Sequence, residues 1–298
     1  MKITFFDEKT NNPIVLCLGS FDSIHKGHQK IFNVANEIKL KYNAKSAVFT
    51  YANDLGFIPG KKGGLVFTYE ERLLRLQEFC VDEICVAKFT KDFSNLSPEE
   101  FLSKLCDNRA IGALICGNDF KFGKNATGDI TFLKEFCLLK KIPLYVCDFE
   151  LDDFGNKIST STIKELLAKG DICKVNKLLG KDYFVTGVVE KGREVGRTLG
   201  FPTANVSLPM EKFLLKSGVY ATYVFINGKK YKALTNVGTA PTFSVNKHLI
   251  ETHVLDFSGD LYGKKLTVYF TSFIRDIKKF DSKEQLISQL ESDLRKII

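Results

Sequence analysis

Short apolar runs alternate with segments of helical period over the first half of the chain. The runs Pro13–Leu18, Ser46–Tyr51, Glu83–Ala87, Ala113–Cys116 and Pro143–Cys147 predict strands. The segments Lys26–Tyr42, Tyr69–Phe79, Pro98–Cys106 and Ile130–Leu139 predict helices. Strands alternating with helices predict an α/β fold, a doubly wound parallel sheet. Ligands of such sheets lie beyond the carboxyl ends of the strands. From Tyr183 the pattern changes. Runs rich in Val, Tyr, Thr and Phe (Phe184–Glu190, Gly218–Phe225, Lys230–Asn236, Glu251–Asp256 and Leu266–Phe273) are separated by turn signals such as Asn227-Gly228 and Tyr262-Gly263. They predict an antiparallel β-barrel or sandwich. A closing helix follows from Ser282, with Asp281 or Ser282 as its cap and Leu286, Leu290 and Leu294 as its apolar stripe.

The chain has 298 residues, enough for two domains, and the change of pattern sets them at 1–180 and 181–298. Hydrophobic residues are 44% and charged residues 26%, a globular composition. No apolar run has the length of a membrane span, and the first residues lack the apolar core of a signal peptide, so a cytoplasmic protein is expected. All eight cysteines precede residue 174, none in a C-x-x-C pair and most in apolar runs. They read as buried thiols rather than as a disulfide framework or zinc site. The net charge of +8 suits anionic partners. The lysines are scattered and no arginine-rich arm is present, so phosphates are expected as partners, and neither nucleic acid nor a membrane. Oligomeric state is not set by the sequence.

The densest chemistry lies in Gly196-Arg197-Thr198-Leu199-Gly200-Phe201-Pro202-Thr203-Ala204-Asn205. A Gly/Pro turn explains the glycines and Pro202. It does not explain Arg197, which can grip phosphate, or Thr203 and Asn205, whose oxygens point to one face of an extended chain. Oxygen ligands of that kind suit Mg²⁺, which also binds nucleotide phosphates. A second cluster follows the first predicted strand: Gly19-Ser20-Phe21-Asp22-Ser23-Ile24-His25-Lys26-Gly27-His28. His25 and His28 stand near a helix N-terminus, where free N–H groups favour phosphate, and both can stabilise charge that builds during adenylyl transfer. A third, Ile158-Ser159-Thr160-Ser161-Thr162-Ile163-Lys164, reads as a hydroxyl-rich helix start.

The 196–205 run resembles the riboflavin kinase signature G-R-x-L-G-F-P-T-A-N almost letter for letter. The 19–28 run resembles G-x-F-D-G-x-H-x-G-H of the nucleotidyltransferase superfamily, with Ser23 at the usual Gly. Gly117-Asn118-Asp119-Phe120-Lys121-Phe122-Gly123 resembles that family's G-x-D/N-F-x-F-G, and residues 158–164 resemble I-S-S-T-x-I-R. Together the motifs resemble the prokaryotic bifunctional riboflavin kinase/FAD synthetase family over nearly the whole chain. The resemblance implies a nucleotidyltransferase-like, Rossmann-like first half that adenylylates FMN and a riboflavin kinase-like barrel that phosphorylates riboflavin. ATP is the co-substrate of both, with Mg²⁺.

The implied catalytic residues are His25 and His28 in the first half and Glu251 in the second, where Glu251-Thr252-His253-Val254-Leu255-Asp256-Phe257 resembles E-x-H-x-x-D-F. Glu251 would take the proton of the riboflavin hydroxyl. Implied ligand-binding residues are Gly19, Phe21, Asp22, Asn118, Asp119, Ser159, Thr160, Ser161 and Lys164 in the first motif set. In the second they are Gly192, Gly196, Arg197, Gly200, Pro202, Asn236 and Arg275, with Thr203 and Asn205 for the metal. His253 shares the face of Glu251, to orient the site or to pack. Residues 187–197 resemble the family's phosphate-covering flap, and 236–243 resemble N-x-G-x-x-P-T-F. Thr162, Lys164 and Ala126 stand where the family commonly has Arg, and Ile277 where it often has Glu. Lys is not equivalent to Arg at a bidentate site. Two alternatives follow: a riboflavin kinase with a weak or inactive first half, and a flavin- or nucleotide-responsive regulatory binding protein.

Overall fold

The computed structural model describes residues 1–52, 64–192, 201–240 and 247–297. The chain forms two compact units, Met1–Lys61 with Phe67–Thr160, and Lys62–Val66 with Ser161–Ile298. Among the described residues, the strands of the first unit are β1 (Lys2–Phe5), β2 (Thr10–Leu18), β3 (Lys45–Ala52), β4 (Glu83–Lys88), β5 (Arg109–Gly117) and β6 (Leu144–Cys147). They form one sheet in the order β1-β4-β3-β2-β5-β6, and every pairing is parallel. From β2 the chain steps outward through β3 to β4, then returns to place β5 on the other side of β2. The order reverses there, and a ligand crevice belongs at that switch point.

Alternate residues of the strands feed two cores, as a period of two requires. Leu16, Leu18, Phe49, Leu114 and Cys116 face Phe101 and Leu105 of α4 (Pro98–Asn108) and Leu133 of α5 (Ile130–Lys140). Val15, Cys17, Val48, Ile84 and Ile115 face Ile31 and Phe32 of α1 (Lys26–Ile38) and Leu76 of α2 (Tyr69–Gln77). Capping boxes start α2 (Thr68 with Glu71) and α4 (Ser97 with Glu100, Pro98 leading the first turn). All eight cysteines are free, and burial pushes the Cys85 and Cys116 thiols up to about 12.

The predicted strands and helices are present, with differences at their ends. The helix expected to Tyr42 stops at Ile38, and a 3₁₀ turn (Lys39–Tyr42) leads to Asn43 at φ 44°. The edge strand β1 is a further element; only Thr4 of its four residues is buried, so it carries almost no hydrophobic pattern. So are the short helix α3 (Lys91–Ser94) and, after α6 (Thr160–Lys169), helix α7 (Ile172–Leu179).

The second unit contains β7 (Tyr183–Glu190), β8 (Ala204–Ser207), β9 (Gly218–Ile226), β10 (Lys229–Ala240), β11 (Lys247–Val254) and β12 (Lys265–Arg275). They close as a barrel, β10-β11-β8-β7-β12-β9, because β9 pairs with both β12 and β10. This decides barrel over sandwich. Buried threonines cross three strands: the Thr222 and Thr235 hydroxyls are 2.7 Å apart, and those of Thr235 and Thr252 are 3.0 Å apart. The closing helix α8 (Lys283–Arg295) is capped by Ser282, whose Oγ accepts the Gln285 N–H at 3.3 Å. Its predicted leucine stripe is only half-buried, and its buried side chain is Asp293.

Lys212 is 2% exposed. Its ammonium donates to the Val66 carbonyl at 2.7 Å and to the Phe184 carbonyl at 3.4 Å, and lies 4.9 Å from the Tyr183 ring centroid. The segment carrying Val66 is fastened alongside: Leu65 N donates to Glu211 O at 2.6 Å, and Phe213 N to Leu65 O at 2.7 Å. Carbonyl dipoles and a ring face thus replace the water that a buried ammonium loses. Lys212→Ala is expected to lower the unfolding free energy by about 2–4 kcal/mol, from lost packing and orphaned carbonyls. Lys212→Met, which keeps the volume, should cost less; urea titration of both variants checks this.

Candidate active sites

In the first unit the loop after β2 carries the imidazoles. Phe21 and Ile24 hold positive φ, 48° and 46°. Ser23, between them, does not, so serine is tolerated where the motif has glycine. A Cβ on Gly19 would stand 2.7 Å from the end of the Phe21 ring, so glycine lets that ring fold back and bury to 1% exposure. Phe21 meets His28 edge-on at 5.1 Å. Asp22 is buried, and its carboxylate accepts the Phe67 N–H at 3.4 Å. The buried Arg72 of α2 donates to the carbonyls of Ser20 and Tyr51, holding the ends of β2 and β3 together.

His25 caps α1: its Nδ1 accepts the backbone N–H of His28 at 3.3 Å. The two rings stack at 3.7 Å, 16° apart. Gly27 leaves room for His25, since a Cβ there would lie 3.1 Å from Cε1. Burial pulls the His25 pKa down to about 4, against the opposing field of Asp119; Lys157 adds to the lowering. At neutral pH His25 is therefore uncharged. Because Nδ1 accepts, Nε2 carries the proton and is the donor.

The loop after β5 supplies the second motif. Asn118 N donates to Cys147 O at 3.1 Å, fixing the loop to the end of β6. Asp119 pairs with Lys157 at 2.7 Å, and the Lys157 ammonium lies 3.6 Å over Phe149. Phe120 and Phe122 stack on each other at 5.3 Å, Phe122 inside the core. In the third motif the Thr160 hydroxyl is 2.9 Å from that of Ser23. Ser159 lies with Thr160 in the first unit, and Ser161 in the second. Lys164, also in the second unit, donates to the carbonyl of Gly64. Ala126 is exposed at φ 57°.

In the second unit, three polar side chains stand in a row across neighbouring strands. Asn205 of β8 is opposite Glu251 of β11, which is opposite Asn236 of β10. The Asn236 amide donates to Glu251 at 3.3 Å. Asn205 is buried, and a side chain on Gly192 would collide with its amide. His253 Nδ1 is 2.8 Å from the Pro202 carbonyl, and its ring meets Phe201 at 5.4 Å. A carbonyl only accepts, so His253 donates through Nδ1 and holds the Pro202–Thr203 backbone. Thr203 lines a cavity of about 650 Å³ with Thr252, Phe257, Gly259, Asp260 and Tyr262. Arg275 is turned away onto α8: its Nε and one terminal nitrogen each lie 2.8 Å from the buried Asp293 carboxylate, which also accepts from Gln289 at 2.9 Å. Gly196, Arg197, Gly200 and residues 241–243 lie outside the described residues.

Lys157 and Asp293 belong to none of the motifs; the one sequence signal for Lys157 is its place immediately before the hydroxyl-rich run, and Asp293 has the sequence setting of a helix-surface carboxylate.

The chain matches the FAD synthetase family over residues 7–162 and the riboflavin kinase family over residues 179–298. It is 32% identical to the bifunctional riboflavin kinase/FMN adenylyltransferase of Buchnera aphidicola subsp. Acyrthosiphon pisum, over 96% of this chain and 93% of the relative. It is 30% identical to the Bacillus subtilis protein of the same description, over 95% and 91%. A solved structure described as a macrolide-efflux protein from Streptococcus pneumoniae is 30% identical, with a TM-score of 0.87 over 100% of this chain and 99% of that one. Efflux is said of that protein; among the described residues here, no helix is long and apolar enough to cross a membrane. A two-unit transferase architecture, parallel sheet plus closed barrel, is thereby defined. The chain belongs to the bifunctional riboflavin kinase/FMN adenylyltransferase family.

The depressed pKa of His25 links stability to acid. Unfolded, the imidazole binds a proton near pH 6.5; folded, it does so only near pH 4. Its contribution is intact above about pH 6.5 and is lost as pH falls toward 4, by about 3 kcal/mol. Denaturant titrations at pH 7 and pH 4.5 should show this loss in wild type and a smaller one in His25→Asn.

Proposed function

We propose that the two activities divide as residues 1–180 for adenylyl transfer and 181–298 for the kinase, with the side chains described above in named roles. The second unit phosphorylates riboflavin with ATP to give FMN. The first transfers AMP from ATP to FMN, giving FAD and pyrophosphate. The two family matches, each confined to one part of the chain, support the division.

The observation that carries the kinase assignment is the Asn205–Glu251–Asn236 row, with Thr203 two residues before Asn205 on the same strand approach. ATP binds with its phosphates toward Thr203. The riboflavin hydroxyl oxygen attacks the γ-phosphorus, its proton passes to Glu251, and ADP leaves. Asn236 holds the carboxylate in place. Thr203 and the buried Asn205 offer neutral oxygens. Among the described residues, no group of three His, Cys, Asp or Glu could hold a metal alone. The donor set fits Mg²⁺ only when nucleotide phosphates complete it, which is how Mg²⁺ is usually bound. The ion would supply charge neutralisation on the transferring phosphate.

In the first unit a phosphate oxygen of FMN attacks the α-phosphorus of ATP, and the bond to the β-phosphate oxygen breaks. No proton need move at neutral pH, so the imidazoles serve as donors to charge rather than as bases. The neutral His25, with its proton on Nε2, suits that role. Lys157 is the cation at hand where arginines are replaced. We also place the chain in the cytoplasm; its eight free cysteines accord with a reducing compartment.

Incubation with riboflavin, ATP and Mg²⁺ is expected to yield FMN and then FAD. His28→Ala should stop at FMN. Glu251→Gln should lower FMN formation about 10²–10⁴-fold while FMN added directly is still converted to FAD. Product chromatography checks all three; no flavin product from wild type would overturn the assignment. His253→Ala, which frees the Pro202 carbonyl, should raise the kinase KM for ATP roughly tenfold, in steady-state assays, with FAD formation from added FMN unchanged.

A further inference from the structure

Ser23 departs from the family pattern, in which glycine stands. In this chain it is fully buried, and its hydroxyl oxygen lies 2.9 Å from that of Thr160, the first residue of α6. Both residues belong to the first unit. The bond spans 137 residues of sequence and joins the imidazole loop to the hydroxyl-rich segment.

The loop it holds is conformationally costly. Phe21 and Ile24 occupy the left-handed region at φ 48° and 46°, where a β-branched side chain is a genuine outlier. Such residues persist only where the surroundings over-determine them. Here Ile24 is completely buried, and its carbonyl accepts the Gln29 side chain at 2.9 Å. Ser23 supplies the second tether. A glycine would keep the backbone and lose the tether.

We propose that Ser23 is a positioning residue for adenylyl transfer. Its hydroxyl fixes the spacing between the His25/His28 loop and Thr160, so that imidazole donors and hydroxyls meet the same ATP phosphates. The inference rests on the reading of the first unit as the FMN adenylyltransferase. It assigns to a buried neutral hydrogen bond part of the ordering that surface arginines would otherwise impose.

Ser23→Gly and Ser23→Ala, neither of which adds volume, test it in the full-length protein. Each should raise the KM for ATP in FAD formation from FMN about 3–10-fold, the worth of one hydrogen bond, with a smaller change in kcat. FMN formation from riboflavin in the same polypeptide is the internal reference for folding and should be unaltered. Thr160→Val should raise the same KM, and the Ser23→Ala/Thr160→Val double variant should be no worse than the poorer single variant, because both remove one interaction. Additive effects, or a fall in both activities together, would mean that Ser23 is merely structural. An unchanged KM in both Ser23 variants, with wild type active, sinks the inference alone. Wild type that makes no FAD from FMN sinks the reading of the first unit, and the inference with it.

Discussion

Strand register is the constraint on which both sites depend. In the parallel sheet, Leu18 lies opposite Cys116, and Gly117 opposite Cys147. The loops that leave β2, β5 and β6 therefore start at one level, at the point where strand order reverses. In the barrel, register sets Asn205, Glu251 and Asn236 side by side. Side chains alternate with a period of two, so a slip of one residue would turn Glu251 toward the opposite face and bring Thr252 out in its place. The apolar alternation that fills each core also prevents that slip.

Much of this was legible in the sequence. Runs such as Pro13–Leu18 and Gly218–Phe225 bury nearly whole strands, and burial is what a hydrophobic pattern records. The glycine–histidine and Pro-Thr-Ala-Asn runs stand out as candidate sites because turn residues and polar oxygens are dense there. What escaped notice lacked pattern or depended on distant partners. β8 has four residues, too few for an apolar alternation to mark it as a strand. Arg275 offered a cation, but its partner Asp293 lies on another element. The sequence could not show that burial, with the charge of Lys157, would leave His25 uncharged.

That last point bears on the phosphate-binding role proposed for the first unit. A protonated imidazole would attract phosphate at long range, whereas a neutral one acts only through a directed N–H. Lys157, held between Asp119 and the Phe149 face, is a cation whose charge reaches His25. Its ion pair is half exposed and screened, so exchanging a carboxylate for a phosphate there costs little.

The fastening of Val66 to Lys212 has a consequence for how the protein is made. The two residues are 146 positions apart. At ordinary rates of synthesis, roughly seven to thirty seconds separate their emergence from the ribosome. Throughout that interval the carbonyl that will receive the ammonium stays in water, and the 64–66 segment must remain uncommitted while neighbouring strands pair. The second unit is thus begun early and finished late, since β9 to β12 still follow Lys212 in the chain.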